Sequence, residues 1–350
     1  MVKTIRNGIS FTESELVARV PDVGDGGKFV EVPLVQRIDP IFGSRARFIE
    51  SSKLMPETKP DTSELNSSIG FCPFCPENVD LVTFPFPDEI VPTGKIRFGK
   101  SLVVPNVMAY SSYSAVGVYD TTRHFIGIDE FSPEIIFDVL SAMLVHARFV
   151  RTFDQEVQYS SVNANYLWPS GSSLVHPHMQ SSHDYVPLAK QATLIDRCAA
   201  HHLETGRSLL TDLVAAELDG ARYIASIGSV HFLAPYAPSG FREVWAIVGD
   251  ATDLIDISLD STQALAEGIA LVLSAYSKWN LASFNFALTG GGNFGAKNGF
   301  NPLLRIVARS NPDIQYRSDV TYFEKMYDEA MLDLYPENTA ADLRQMFDQA

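Results

Sequence analysis

Residues 172–187 read SSLVHPHMQSSHDYVP and set His176, His178 and His183 within eight positions, with Pro177 between the first two and Gln180 just beyond. A lone histidine is most often a satisfied core or surface residue, but H-P-H-x-Q is a pattern. In an extended segment alternate side chains point to one side. His176, His178 and Gln180 therefore flank one place, and Pro177 limits the freedom of the backbone that carries them. A neutral imidazole is a competent nucleophile near neutral pH without a separate base. If a backbone carbonyl holds its Nδ1–H, the other nitrogen is free to attack phosphorus. A glutamine two residues on can then donate to a phosphoryl oxygen. His183 is read as a structural or rim residue.

On the N-terminal side, YSSVNANYLW (159–168) reads as a strand and PSGSS (169–173) as a turn into the histidines. Before them a helix is expected over 132–149. Ser132 is its N-cap and Pro133 its first residue, and Ile135, Ile136, Val139, Leu140, Met143 and Leu144 keep helical spacing. Earlier still, 95–120 reads as strand, turn and strand, KFVEVPLVQ and ARFIES as short strands, and 53–68 as an extended loop. On the C-terminal side a helical region is expected over 188–218, broken near Gly206. Strands follow at 222–228, 230–237 and 242–249, then a helix over 261–279, strands at 283–289 and 303–310, and a helix over 338–347. The order of strands, helix and strand thus recurs after residue 220, which implies an α+β chain of two related halves.

FCPFCPEN (71–78) carries Cys72 and Cys75 at C-x-x-C spacing. A redox dithiol needs its first thiol at a helix N-terminus. Here Pro76 follows at once and the flanks read as loop. A metal half-site needs only a tight turn that aims two thiolates at one cation, so zinc is the preferred reading, completed by histidines because no second cysteine pair exists. Cys198 reads as a core thiol.

The chain has 350 residues, 46% of them hydrophobic, a formal net charge of −15 and three cysteines. Such a charge repels phosphate polyanions, so duplex nucleic acid is not an expected partner. No apolar run reaches membrane-span length and no signal-peptide core is visible at the N-terminus, so we expect no membrane partner and a cytoplasmic location. An odd cysteine count there argues against a disulfide framework. GGGNFG (290–295) matches a dinucleotide fingerprint, but AKNGFNP after it cannot open the required helix. His201 and His202 are expected to be solvated, and His146 and His231 have no evident partner.

Taken together, these residues resemble the galactose-1-phosphate uridylyltransferase family of the histidine-triad superfamily. Arg37, Asp39, Pro40 and Gly43 in VQRIDPIFGSRARFI look like its N-terminal stretch. CPFCPEN is similar to its zinc-binding segment, and VVPN (103–106) to its strand-end asparagine near the nucleoside. TTRHFIGIDEFSPE resembles the segment with the third zinc ligand, and NANYLWPSGSSLVHPHMQ the active-site block. The resemblance implies two fused histidine-triad-like halves, antiparallel sheets flanked by helices, over 1–190 (with the zinc and HPHMQ) and 191–350. It implies a closed, structural Zn2+ site of Cys72, Cys75, His124 and His176, with His178 as nucleophile and Gln180 beside it. It places substrate contacts on Asn165, Ser173, Asn106 and Arg37. Where histidine-triad hydrolases carry a third histidine, this chain has Gln180, as in the transferase and phosphorylase branch. It departs at Asn301 and Leu303, where many members carry a histidine pair, so a second metal site is not expected.

The function so implied is ping-pong transfer of a nucleoside monophosphate, UMP as first guess, between a nucleotide sugar and a sugar phosphate, in a homodimer. The alternatives are a phosphorylase that takes inorganic phosphate and acts on a nucleotide sugar or dinucleoside polyphosphate, a catalytically silent zinc-containing nucleotide-binding protein, and a zinc hydrolase, which would need an open coordination position.

Overall fold

The computed structural model describes residues 1–350 except 23, 50–53, 55–57, 66–69, 109, 314–317 and 350. Parts of the loop expected over 53–68 therefore lie outside the described residues. The chain begins with β1 (Val2–Arg6), β2 (Ile9–Pro21), β3 (Phe29–Ile38) and β4 (Arg45–Phe48). β1 and β2 pair antiparallel and Arg6 faces Ile9, so only Asn7 and Gly8 turn the chain. Both have positive φ, 48° and 82°, which is the geometry of a type I′ hairpin. Neither β1 nor β2 was foreseen, although an Asn-Gly pair between strands is a direct hairpin signal.

Next come α1 (Pro76–Val82), β5 (Ile96–Phe98), β6 (Ser101–Pro105), β7 (Tyr113–Val118), α2 (Pro133–Phe153), β8 (Tyr159–Tyr166) and β9 (His178–Asp184). Then follow α3 (Ala189–Thr205), α4 (Leu209–Glu217), β10 (Tyr223–Ile227), β11 (Val230–Leu233), β12 (Phe241–Val248), α5 (Leu259–Lys278), β13 (Ser283–Thr289) and β14 (Leu303–Arg309). The chain closes with α6 (Tyr322–Tyr327), β15 (Glu329–Leu332) and α7 (Pro336–Phe347). The loop reading of the CPFCP flanks is corrected: α1 starts at Pro76, with Cys75 as its N-cap. Proline fits there because the first helical N–H has no intrahelical acceptor. α6 and β15 were also unforeseen. The expected break near Gly206 is present, with Gly206 in the left-handed region at the end of α3. The GGGNFG segment does not open an α-helix: one 3₁₀ turn lies within it at Gly292–Phe294 and a second comes directly after it at Ala296–Asn298. No described helix is long and apolar enough to cross a membrane.

β1, β2, β3, β4 and β15 form one sheet, with β15 parallel to β4. The other ten strands form a single sheet in the order β10-β11-β12-β14-β13-β8-β9-β7-β6-β5, antiparallel throughout. Its two groups of five meet at β8 and β13, where Asn165 lies opposite Asn285. One face of this sheet is apolar and packs beneath α2 and α5 into a continuous core that includes Val162, Met179, Phe284 and Ile306. Ser132 caps α2 and Ser258 caps α5 through their hydroxyls. Helix and sheet approach so closely that each group needs a glycine. A Cβ on Gly117 of β7 would meet Met143 Sδ at 2.6 Å, and one on Gly268 of α5 would meet the Phe232 ring at 2.0 Å. With that face buried, the period-2 pleat turns Asn163, Asn165, His178 and Gln180 to the opposite face. The site lies on that face.

Candidate active site and metal centre

Four donor atoms converge at the C-P-x-C-P turn. Cys75 Sγ stands 3.2 Å from Nδ1 of His124 and 3.7 Å from Nδ1 of His176, and Cys72 Sγ stands 3.6 Å from Nδ1 of His176. All four donors lie within 4.8 Å of one another, and the residues are buried or nearly so. A tetrahedral ion with bonds of about 2.3 Å to sulfur and about 2.0 Å to nitrogen places its S and N ligands roughly 3.5 Å apart. The cluster thus fits a four-coordinate metal. Local structure prepares it: Asn78 Nδ2 donates to the Cys72 carbonyl at 2.9 Å, and α1 starts at once behind Cys75. Nε2 of His176 donates to the Asp120 carbonyl at 2.9 Å, which turns Nδ1 toward the sulfurs. Burial lowers the His176 pKa to about 4, so its ring is a neutral ligand. Nε2 of His124 is buried without a hydrogen-bond partner among the described residues.

His178 opens β9, and its Nδ1 lies 2.9 Å from the His176 carbonyl oxygen. Nδ1 therefore carries the proton, and the lone pair is left on Nε2. Burial lowers the pKa of His178, while the bond to the His176 carbonyl works the other way. The ring is neutral at pH 7. Gln180 is on the same face of β9, opposite Asn163 of β8, and its Nε2 donates to the Tyr110 hydroxyl at 2.7 Å. Asn165 is on the same face of β8, where its Oδ1 accepts from Asn285 Nδ2 at 2.6 Å.

The other expected contacts stand as follows. Ser173 is exposed on the turn before the histidines. Asn106 directly follows β6; its Oδ1 accepts from the Met108 amide, and its Nδ2 is buried without a partner among the described residues. Arg37 is in the small sheet and donates to Glu13 at 2.7 Å and to Glu337 at 2.9 Å. It also stacks on Tyr236 at 4.6 Å. None of these partners belongs to the histidine strand.

Sequence reading missed Tyr110, Asn163, Asn285 and Asp120. Two carried a signal: Asn163 stands two residues before Asn165 in the strand read over 159–168, and Asn285 is a polar residue within the apolar run SFNFALT. Three histidine readings change. His231, which had no evident partner, has its Nδ1 3.1 Å from the Tyr223 hydroxyl. His146, which had no evident partner, meets His183 Nε2 at 3.2 Å in the core, and His183 in turn meets Ser160 Oγ at 2.9 Å. His201, expected to be solvated, is bonded to Asp212 at 2.6 Å. Cys198 is buried as expected.

The fold is shared with uridylyltransferase and ADP-glucose phosphorylase structures. An ADP-glucose phosphorylase from Arabidopsis thaliana, solved with bound ADP-glucose, superposes with a TM-score of 0.69 at 18% identity, over 89% of this chain and 99% of that one. A GalT-like protein from Arabidopsis thaliana gives 0.68 at 18% identity, over 89% and 98%. A uridylyltransferase gives 0.63 at 19% identity, over 90% and 99%. The chain thus has the two-half α+β fold of galactose-1-phosphate uridylyltransferase-like proteins. In sequence, an uncharacterized protein of Archaeoglobus fulgidus is 29% identical over 329 residues, 93% of this chain and 96% of that protein. No family profile matches the chain.

Proposed function

We propose that this chain is a nucleotidyltransferase that moves a nucleoside monophosphate between phosphorylated sugars through a covalent intermediate on His178. The observation that carries this reading is the 2.9 Å bond from His178 Nδ1 to the His176 carbonyl, which supplies an oriented, neutral imidazole with a free Nε2. The shared fold supports it, since proteins of that fold include a uridylyltransferase and an ADP-glucose phosphorylase.

The chemistry balances without an added base. The Nε2 lone pair attacks the α-phosphorus and forms an N–P bond. The bond from that phosphorus to the bridging oxygen breaks, and its electrons leave with the sugar phosphate. Nδ1 keeps its proton on the His176 carbonyl. An anionic phosphate oxygen of the acceptor then attacks phosphorus, and the N–P electrons return to Nε2. Gln180 and Asn165 can each donate an amide N–H to the non-bridging oxygens as charge develops there. Gln180 exchanges its Tyr110 bond to do so. Ser173 at the turn fits a further phosphate donor, and the free Nδ2 of Asn106 fits a nucleoside oxygen.

We assign Zn2+ to Cys72, Cys75, His124 and His176. Four protein ligands close the sphere, so the ion would be structural and would fix the segment that presents His178. In the same reading, residues 1–190 and 191–350 are the two halves of a cytoplasmic homodimer subunit, with Arg37 a phosphate contact only if it exchanges its carboxylate partners.

A second reading has support from the ADP-glucose held by the phosphorylase of this fold. In it the donor is an adenine nucleotide sugar and the acceptor inorganic phosphate. Initial rates with UDP-glucose or ADP-glucose, against glucose 1-phosphate, galactose 1-phosphate or phosphate, test both. Parallel double-reciprocal lines are expected. Intersecting lines, with no partial exchange of label between nucleotide sugar and sugar phosphate, would sink the covalent route. The acceptor that supports turnover decides between transferase and phosphorylase.

A further inference from the structure

The amide of Asn165 can serve a phosphate only if its nitrogen, and not its oxygen, faces the ligand. The β8–β13 seam decides which. Asn285 Nδ2 donates to Asn165 Oδ1 at 2.6 Å and to the Ser170 carbonyl at 2.9 Å. Asn285 Oδ1 accepts from Arg309 Nη1 at 2.6 Å. Arg309 is clamped to Asp319 by two further bonds, Nε to Oδ2 at 2.6 Å and Nη2 to Oδ1 at 3.0 Å, with both side chains largely buried.

The polarity of this row has one solution. A guanidinium has donors and no acceptor, so the end of Asn285 that meets it must be oxygen. The other end of Asn285 is then NH2, so the end of Asn165 that meets it must be oxygen. The NH2 of Asn165 is left pointing away from the seam. The same Asn285 nitrogen holds the Ser170 carbonyl, which lies in the turn that follows Leu167. Leu167 has φ 64° and ψ 166°, a region almost confined to glycine, so its surroundings must hold it there.

We propose that Arg309 and Asn285, on the strands of the second half, form a polarity relay that fixes the amide of Asn165 with its nitrogen toward the ligand's phosphate. Both are positioning residues. The proposal rests on Asn165 being a phosphate contact of the site described above.

Asn285→Asp separates this role from simple support. The substitution keeps the shape, strengthens the pair with Arg309, and presents oxygen to Asn165 where nitrogen stood. Asn165 then turns over and shows its oxygen to the ligand. Calorimetric affinities for UMP and AMP are measured for the wild type, N285D, N165A and N165A/N285D, beside thermal melts and the covalent-adduct assay on the wild type. N285D also gives up the bond to the Ser170 carbonyl, so it is expected to melt below the wild type, to stay folded at the temperature of the binding measurement, and to bind about 10- to 100-fold more weakly, the range for one lost hydrogen bond to a charged group. In the N165A background, N285D should cost nothing more. Unchanged binding by N285D, or a loss that adds in full to that of N165A, would overturn the relay. Coupled nucleotide binding without any adduct would sustain the relay and remove the transfer reading. An adduct with uncoupled binding would do the reverse. A wild type that binds neither nucleotide overturns both.

Discussion

The Nδ1 of His178 is bonded to the carbonyl of His176, whose own Nδ1 faces the sulfurs of Cys72 and Cys75. One residue thus serves two centres: its ring joins the metal cluster and its backbone orients the proposed nucleophile. Pro177 between them leaves the dipeptide little freedom to part the two.

That sharing predicts different losses at adjacent positions. His178→Ala should abolish transfer and leave metal content and melting temperature near those of the wild type. His176→Ala should lose metal, stability and activity together. Metal analysis and thermal melts of the two variants check this. Equal metal content in both would contradict the division of roles.

The metal should behave as a folding element. X-ray absorption of the purified protein is expected to show two sulfur and two nitrogen ligands, at about 2.3 Å and about 2.0–2.1 Å. Chelation should lower the melting temperature, and activity should fall in step with it. A water or other open position in the coordination sphere would favour a hydrolytic site instead.

The buried histidine pair makes stability depend on pH. Burial lowers the pKa of His146 to about 3 and holds that of His183 well below the ordinary range, with His146 and Arg151 adding to the effect. Ser160, Ser181 and the Phe86 ring contact the pair, and among the described residues no carboxylate is bonded to it. In the unfolded chain each ring takes up a proton near pH 6.5. Below that pH the unfolded state therefore binds more protons. The stability these groups contribute is complete above about pH 6.5 and falls steadily toward about pH 3. Urea midpoints should drop between pH 7 and pH 5, and His146→Leu should make the slope shallower. A flat profile in the wild type would refute the burial of a neutral pair.

Gly268→Ala drives a methyl into the Phe232 ring at the contact of α5 with the sheet. The cost should be about 1–3 kcal/mol, the usual penalty of an overpacked core. Denaturant melts measure it, with transfer at low temperature retained. A neutral result would mean that α5 sits farther from β11 than described.

How much of this was legible in the sequence follows from which signals are local. Ser132-Pro133, Gly206 and the periodicity of 132–149 encode their helix ends directly, because caps and apolar stripes act within a turn or two of chain. The metal set was reached through motif resemblance, and the structure brings its four donors together. Asn7-Gly8 was equally local and was overlooked. Pro76 was read as a loop signal although proline also opens helices. Asn285 and Tyr110 could not be found as site neighbours, because register between strands 120 residues apart, as for Asn165 and Asn285, and the path of a loop are set by the whole core. The pairing of His146 with His183 is non-local in the same way.

The most direct test is intact-protein mass spectrometry after mixing the chain with UDP-glucose, with ADP-glucose or with dinucleoside polyphosphates, with no acceptor present. A gain equal to one nucleoside monophosphate, absent in His178→Ala and removed by adding acceptor, is the predicted result, and its mass identifies the nucleotide. Turnover of one of these donors with no adduct at His178, or an adduct that persists in His178→Ala, would contradict it.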